Sequence, residues 1–210
     1  MPLHKTIRVN NKITVYIWNI EENLHELNKN LTITKNCEDR IANMKSEIHQ
    51  RGFLSVRQLL KVAGYEPYEL FYDKKGKPHL SDGKHISITH SFIFSAIIIS
   101  ETDEVGIDIE LIRDKIQRIG HKFVNYEYNY LNEKALTQKL SIIWCIKESL
   151  YKAFATKGVS FKDHIKVLPF DVSEDEAIAW VLYEGKYAKY KANYFSINGY
   201  MCSYAIKVIP

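Results

Sequence analysis

Cysteine is scarce. Cys37, Cys145 and Cys202 are the only three in 210 residues, and no Cys-x-x-Cys pair occurs, which excludes a disulfide framework and a thiolate zinc knot. Five prolines and nine glycines are too few for a collagen-like or low-complexity chain. Long apolar runs are missing as well. Stretches such as Ala96 to Ile99 fall far short of the roughly 20 residues that cross a bilayer. Met1-Pro2-Leu3-His4-Lys5 lacks the apolar core of a secretory signal. The charge surplus is small, 29 Lys and Arg against 25 Asp and Glu, net +4. That bias favours acidic partners, whether phosphates or an acidic protein, and falls short of what nucleic-acid binding needs. What remains is a soluble, reduced, cytoplasmic globular protein. The length suits one large domain or two units of about 100 residues each.

The patterning that is present alternates between strand and helix. Ile13, Val15 and Ile17 interleave with Thr14, Tyr16 and Trp18, a period of two that predicts a strand. From Glu38 to Ala63 the period turns helical, with Ile41, Met44 and Ile48 on one stripe and Gly64 as a stop. Gly52 inside it costs about 1 kcal/mol relative to Ala, which leaves room for two helices rather than one. Lys74 to Pro78 reads as a turn, and Ile86 to His90 with Phe92 to Ser100 as a strand pair. The polar segment Glu101-Thr102-Asp103-Glu104 reads as a hinge, with units expected at 1–103 and 104–210. Beyond it we expect a strand from Val105 to Leu111 and an irregular basic stretch from Arg113 to Lys122. Helices are expected over Tyr126 to Gln138 and Ser141 to Ala155, and strands between Ala177 and Ile209. Both halves run strand, helices, strands, which gives an α+β fold with a hint of duplication.

Three segments carry chemistry. In Gly106-Ile107-Asp108-Ile109-Glu110 a strand turns Ile107 and Ile109 to a core, and Asp108 and Glu110 share the other face, about 7 Å apart. Two adjacent carboxylates repel unless a cation lies between them, and oxygen ligands suit Mg2+ or Mn2+. Gly106 on the same face leaves room for a ligand to approach the backbone. The bland alternative is a strand with two solvated acids. In Trp144 to Lys152, helical spacing aligns Trp144, Glu148 and Lys152 beside an apolar stripe of Ile142, Ile146, Leu150 and Ala153. Glu148 can add a third oxygen and Lys152 can offset a phosphate; as a plain surface pair they contribute roughly 0.2–0.5 kcal/mol. In Ser87-Ile88-Thr89-His90-Ser91, a histidine among hydroxyls can grip a phosphate. Arg40, Arg51, Arg57 and Lys61 lie on the long helical stretch, where Arg40 and Arg51 line one face and form either a solvated surface or a phosphate clamp.

Read in order, Gly76-Lys77-Pro78, Ser87-x-Thr89-His90-Ser91, Gly106-Ile107-Asp108-Ile109-Glu110 and Trp144-x-x-Lys147-Glu148-x-x-x-Lys152 resemble one family. It is the 4′-phosphopantetheinyl transferases of the surfactin-synthetase-activating (Sfp) type, and the likeness spans residues 40–160. The resemblance implies a pseudo-dimer of two similar α+β halves in one chain, with coenzyme A in the cleft between them. Its phosphopantetheine moiety would pass to a serine of an acyl or peptidyl carrier protein. By the matching motifs, Asp108, Glu110 and Glu148 look like Mg2+ ligands (Mn2+ being a substitute), and Lys152 like a contact to the coenzyme A diphosphate. His90 resembles a phosphate-holding residue, Lys77, Pro78 and Thr89 align with the nucleotide-contacting segment, and Arg51 is the best match to the family's helix arginine. Ser87 and Thr89 depart from the Asn and Ser usual there, and the glycine-rich continuation shrinks to Ala155-Thr156-Lys157-Gly158.

The implied reaction needs neutralised charge, aligned attack and a base for the serine proton. Glu148 is one candidate base. Glu127, in Phe123-x-x-x-Glu127, resembles a family position and is the other. The carrier partner is expected to be acidic and to dock on Arg113, Lys115, Arg118 and Lys122, interleaved with Ile116 and Ile119. A two-halved chain needs no second copy, so a monomer is expected, without nucleic-acid or membrane partners. The competing readings are an Mg2+-dependent phosphohydrolase acting on a nucleotide or coenzyme A diphosphate, a noncatalytic binder of acidic proteins, and a nucleic-acid binder.

Overall fold

The computed structural model describes residues 3–208; Met1, Pro2 and the expected strand end at Ile209 lie outside them. The chain is α+β and divides between Thr102 and Asp103 into two compact units. In chain order the first holds β1 (Leu3–Arg8), β2 (Ile13–Asn19), α1 (Leu24–Asn28), α2 (Lys35–Ala42), α3 (Glu47–Val62), β3 (Leu70–Tyr72), β4 (Pro78–Leu80), β5 (His85–Ser91) and β6 (Phe94–Ser100). The second holds β7 (Val105–Leu111), α4 (Lys115–Ile119), α5 (Leu136–Phe154), β8 (Ile165–Val167), β9 (Glu176–Tyr183), β10 (Lys186–Ile197) and β11 (Tyr200–Val208).

Taken separately, the units repeat one plan. The first builds an antiparallel sheet in the order β1-β2-β6-β5, and the second in the order β7-β11-β10-β9-β8. In each, the strand before the long helix pairs with the unit's last strand, which pairs in turn with the strand before it. The long helix, α3 or α5, packs on that sheet. Alternation along β2 buries Ile13, Val15 and Ile17 as a period of two requires. The apolar stripe of α5, Ile142, Ile146, Leu150 and Ala153, is buried in the second core with Phe123 and Tyr190. Leu54, Leu59, Leu60, Leu27 and Ile97 form the first core.

Several local expectations need correction. The helical stretch does split, but at residues 43–46: Asn43 closes α2, its side-chain amide donating to the Asp39 carbonyl, and Ser46 precedes α3. Gly52 lies buried inside α3, and a Cβ there would sit 3.1 Å from the His90 ring. Arg40 is therefore on α2 and Arg51 on α3, not along one helix face. The expected Tyr126 to Gln138 helix is a single 3-10 turn, Tyr126–Asn129. Ala135 takes φ 56°, which starts α5 afresh at Leu136, ahead of the expected Ser141. The basic stretch after β7 is not irregular; it forms α4 and a 3-10 turn, Gly120–Lys122. Strands β1, β3, β4 and β8 had no sequence expectation. Among the described residues no helix is long and apolar enough to cross a membrane.

Candidate active site

The site of the second unit is assembled from β7 and α5. Strand periodicity puts Gly106, Asp108 and Glu110 on one face, and α5 packs against it. A Cβ on Gly106 would lie 1.9 Å from the Ser149 carbonyl oxygen and 3.0 Å from the Ala153 amide. The expectation that Gly106 leaves room for a ligand is thus overturned: the helix backbone fills that space. Two further bonds fix α5 to β11, Ser149 Oγ donating to the Ser203 carbonyl at 2.9 Å and the Cys145 thiol to the Met201 carbonyl at 3.5 Å.

This close docking brings α5 side chains to the strand carboxylates. Lys152 Nζ donates to Asp108 Oδ1 at 2.8 Å and to the Ile107 carbonyl at 3.0 Å. The Asp108 side chain is 5% exposed and that of Lys152 28%. Burial pushes the Glu148 carboxyl up, the negative charges of Asp108 and Glu110 add to the push, and Lys152 opposes it; the result is about 7. Burial works to lower the Lys152 ammonium, but the charges of Asp108 and Glu148 outweigh it and raise its pKa. Burial also drives the Cys145 thiol well up, aided by the Asp108 charge and a side-chain bond between the two. The Glu148 carboxyl thus feels Asp108, Glu110 and Lys152, and Lys152 feels Asp108 and Glu148. Cys145 belongs with them and was missed in the sequence. Its signal was available, since Cys145, Glu148 and Lys152 follow the spacing of one helix face.

The donor chemistry of Asp108, Glu110 and Glu148 fits a hard divalent cation, being oxygen only. Burial is the main cause of the upward push on Glu148, and the nearby charges of Asp108 and Glu110 add a part that such a cation would oppose. The three are not closed into a ready ligand set: among the described residues no three His, Cys, Asp or Glu side chains are grouped to hold a metal ion. One Asp108 oxygen is bonded to Lys152 instead.

Glu127 stands in different surroundings. It is fully buried, as is its partner Lys147, whose Nζ lies 2.8 Å from Oε1. The Val167 amide donates to Oε1 at 2.9 Å and the Asn125 amide to Oε2 at 3.2 Å. Lys147 spends its other donors on the Phe123 and Phe161 carbonyls, at 2.7 and 2.9 Å. The pair ties α5 to the 3-10 turn, to β8 and to the loop before it.

In the first unit, the glycine gap of α3 admits His90, which is exposed on β5 next to buried Thr89. His49 brings a second imidazole, with ring centroids 6.3 Å apart; no sequence signal singled it out. Arg51, in the same turn as Gly52, donates from Nη2 to the Ile20 carbonyl at 2.9 Å, and its buried Nε has no partner. Lys77 and Pro78 enter β4, the Lys77 amide donating to Asp73 Oδ1 at 2.9 Å. Arg57 is turned inward, its guanidinium 3.4 Å from the Phe53 ring centroid, and Arg40 stacks on Phe53 and Tyr72. Lys61 donates to the Asn30 carbonyl. Arg40, Arg57 and Lys61 thus serve packing and local bonding.

On the second unit Arg113, Lys115, Arg118 and Lys122 are exposed. Ile116 and Ile119, interleaved with those cations, are partly buried against the unit's own core.

Residues 104–206, from β7 into β11, match the family model described as ACPS, 4′-phosphopantetheinyl transferase superfamily. The matched segment carries Asp108, Glu110, Glu127, Glu148 and Lys152. That match supports a transferase and, in general terms, phosphopantetheine transfer; the family takes coenzyme A as substrate, typically with a divalent metal, and acts on carrier proteins. No curated protein matches the chain.

Proposed function

We propose that this chain is a 4′-phosphopantetheinyl transferase of the Sfp type, Mg2+-dependent, transferring phosphopantetheine from coenzyme A to a serine of an acyl or peptidyl carrier protein. The observation that carries the reading is the close packing of α5 on β7, which bonds Lys152 to Asp108 within the segment that matches the family. The serine oxygen forms a bond to the phosphorus bearing pantetheine, the bond to the bridging diphosphate oxygen breaks, and 3′,5′-ADP leaves. Asp108, Glu110 and Glu148 would hold the divalent cation, which when bound offsets diphosphate charge. Lys152, bonded to Asp108, would offset charge that builds on the leaving group.

The serine proton goes to Glu148 rather than Glu127 in this reading. Glu148 is only half-buried and stands beside the proposed cation, within the segment that matches the family. Glu127 has no exposed surface and is committed to Lys147, Val167 and Asn125, so a carrier hydroxyl has no route to it. The nucleotide is assigned to Arg51, Lys77, Pro78, Thr89 and His90 of the first unit. The shared strand order of the units supports the pseudo-dimer as part of the same proposal. An acidic carrier would be steered by exposed Arg113, Lys115, Arg118 and Lys122. A monomer in the cytoplasm completes the reading. A phosphohydrolase acting with water finds no support in the family match.

The test is incubation with coenzyme A, Mg2+ and a panel of apo carrier proteins, followed by intact mass. A pantetheine adduct on at least one carrier is expected. Chelation should abolish it, and Asp108→Ala should slow it by about a hundredfold or more, the scale of losing one charge-stabilising group. Absence of an adduct on every carrier would overturn the assignment.

A further inference from the structure

The bond between Lys152 and Asp108 raises a question the transferase reading leaves open. The carboxylates proposed to hold a divalent cation already carry a cation of their own. Lys152 Nζ sits 2.8 Å from Asp108 Oδ1 and 3.0 Å from the Ile107 carbonyl, on a carboxylate that is almost fully buried. Such a carboxylate is costly to leave without a counter-charge. The ammonium supplies one, and it reaches in from a side chain that keeps 28% of its surface exposed. Contrast the fully sealed Lys147, held by a carboxylate and two carbonyls. Lys152 instead keeps part of its side chain at the surface and is bound by one carboxylate oxygen and one carbonyl.

A divalent ion bonded to Asp108 at the roughly 2.0–2.1 Å typical of Mg2+ would place two positive charges beside an ammonium at hydrogen-bond distance from the same carboxylate. The two cations repel, which weakens the hold of each on the shared carboxylate. An incoming diphosphate gives the displaced ammonium a new acceptor.

Resting on the transferase reading and deepening it, we propose that Lys152 is a built-in counterion, resident on Asp108 in the ligand-free chain and exchanged onto the substrate diphosphate when the divalent cation enters. The exchange makes the two ligands mutually dependent. Cation alone binds weakly because it must evict Lys152 into water. Cation with a diphosphate binds tightly because the evicted ammonium is captured. By linkage each ligand then raises the affinity of the other by the same factor. Lys152 is thus a positioning and coupling residue in addition to a substrate contact.

The test is calorimetric titration of Mg2+ into the full chain, with and without coenzyme A, in the wild type and in Lys152→Met, which keeps the stem and removes the charge. For the wild type we expect Mg2+ to bind at least tenfold more tightly when coenzyme A is present. Lys152→Met should bind Mg2+ alone at least tenfold more tightly than the wild type and lose most of the coenzyme A enhancement. Unchanged or weaker Mg2+ binding in Lys152→Met overturns the proposal while leaving the metal site intact. No Mg2+ binding in either protein, with or without coenzyme A, overturns the metal-site reading and the proposal with it. Amine labelling of the wild type, read by peptide mass, supplies a check that needs no variant. Mg2+ alone should raise the labelling rate of Lys152 severalfold, and adding coenzyme A should suppress it; a rate unmoved by Mg2+ contradicts the exchange.

Discussion

Helix α5 carries two lysine–carboxylate pairs with the same 2.8 Å separation and opposite characters. Lys147 and Glu127 are both sealed from solvent, and every oxygen and ammonium donor named above points to protein. Lys152 and Asp108 form a pair with one buried and one partly open member, in a field of two further carboxylates. Distance alone does not separate them; burial and the surrounding charge do. A sealed pair is a fixed clamp, because breaking it strands a charge in a low-dielectric interior. A half-open pair beside surplus negative charge is free to trade partners.

The largest effect should come from breaking the clamp. Lys147→Ala leaves Glu127 fully buried and uncompensated, a loss of about 3–5 kcal/mol, whereas Lys152→Ala should cost less, because Asp108 keeps a little exposed surface through which water can reach it. Urea unfolding of both variants checks the contrast, and equal losses would erase it.

Next comes Gly106→Ala, which tests the close approach of α5 to β7 on which the Lys152–Asp108 pair relies. The added methyl meets the Ser149 carbonyl at 1.9 Å, backbone that cannot step aside singly, so α5 must shift. Overpacking of this kind costs about 1–3 kcal/mol. Loss of transfer activity beyond the loss of stability would show that Glu148 and Lys152 have moved from their partners. Full activity in a normally stable variant would show that the close approach is dispensable.

The smallest effect is a pH slope specific to the open pair. Glu148 holds its proton up to about 7 in the fold, against an ordinary value of 4.5. Between those values the folded chain binds a proton that the unfolded chain has released, so this group makes stability fall as pH rises from about 4.5 to 7 and level off above. In divalent-free buffer the thermal midpoint of the wild type should therefore drop more over that window than that of Glu148→Gln. Parallel curves for the two proteins would remove Glu148 from the charged cluster.

How much of this was legible beforehand differs by element. The alternation in Ile13 to Trp18 and in Val105 to Leu111, and the apolar stripe of α5, already specified strands and a helix with the observed inner faces. The motif order pointed to Asp108, Glu110, Glu148 and Lys152, which lie on β7 and α5, two elements that pack together, with Lys152 bonded to Asp108. The helix break was placed by Asn43 rather than Gly52, because the glycine's lack of a side chain serves His90 instead of interrupting α3. The Tyr126 to Gln138 segment failed as a helix because Glu127 spends its carboxylate on Asn125 and Val167, and Ala135 turns left-handed.

The residue pattern by itself determined which segments are extended or helical and which faces turn inward, since period and burial are set by neighbours along the chain. It also determined the chemical kinds of group available to a cation and a phosphate. Only the tertiary structure decided who pairs with whom: that Gly106 receives a helix backbone, that Glu127 belongs to Lys147, and that Asp108 holds Lys152. Those choices depend on how closely α5 settles on β7. That distance is fixed by packing between parts of the chain far apart in sequence, where no local periodicity reaches.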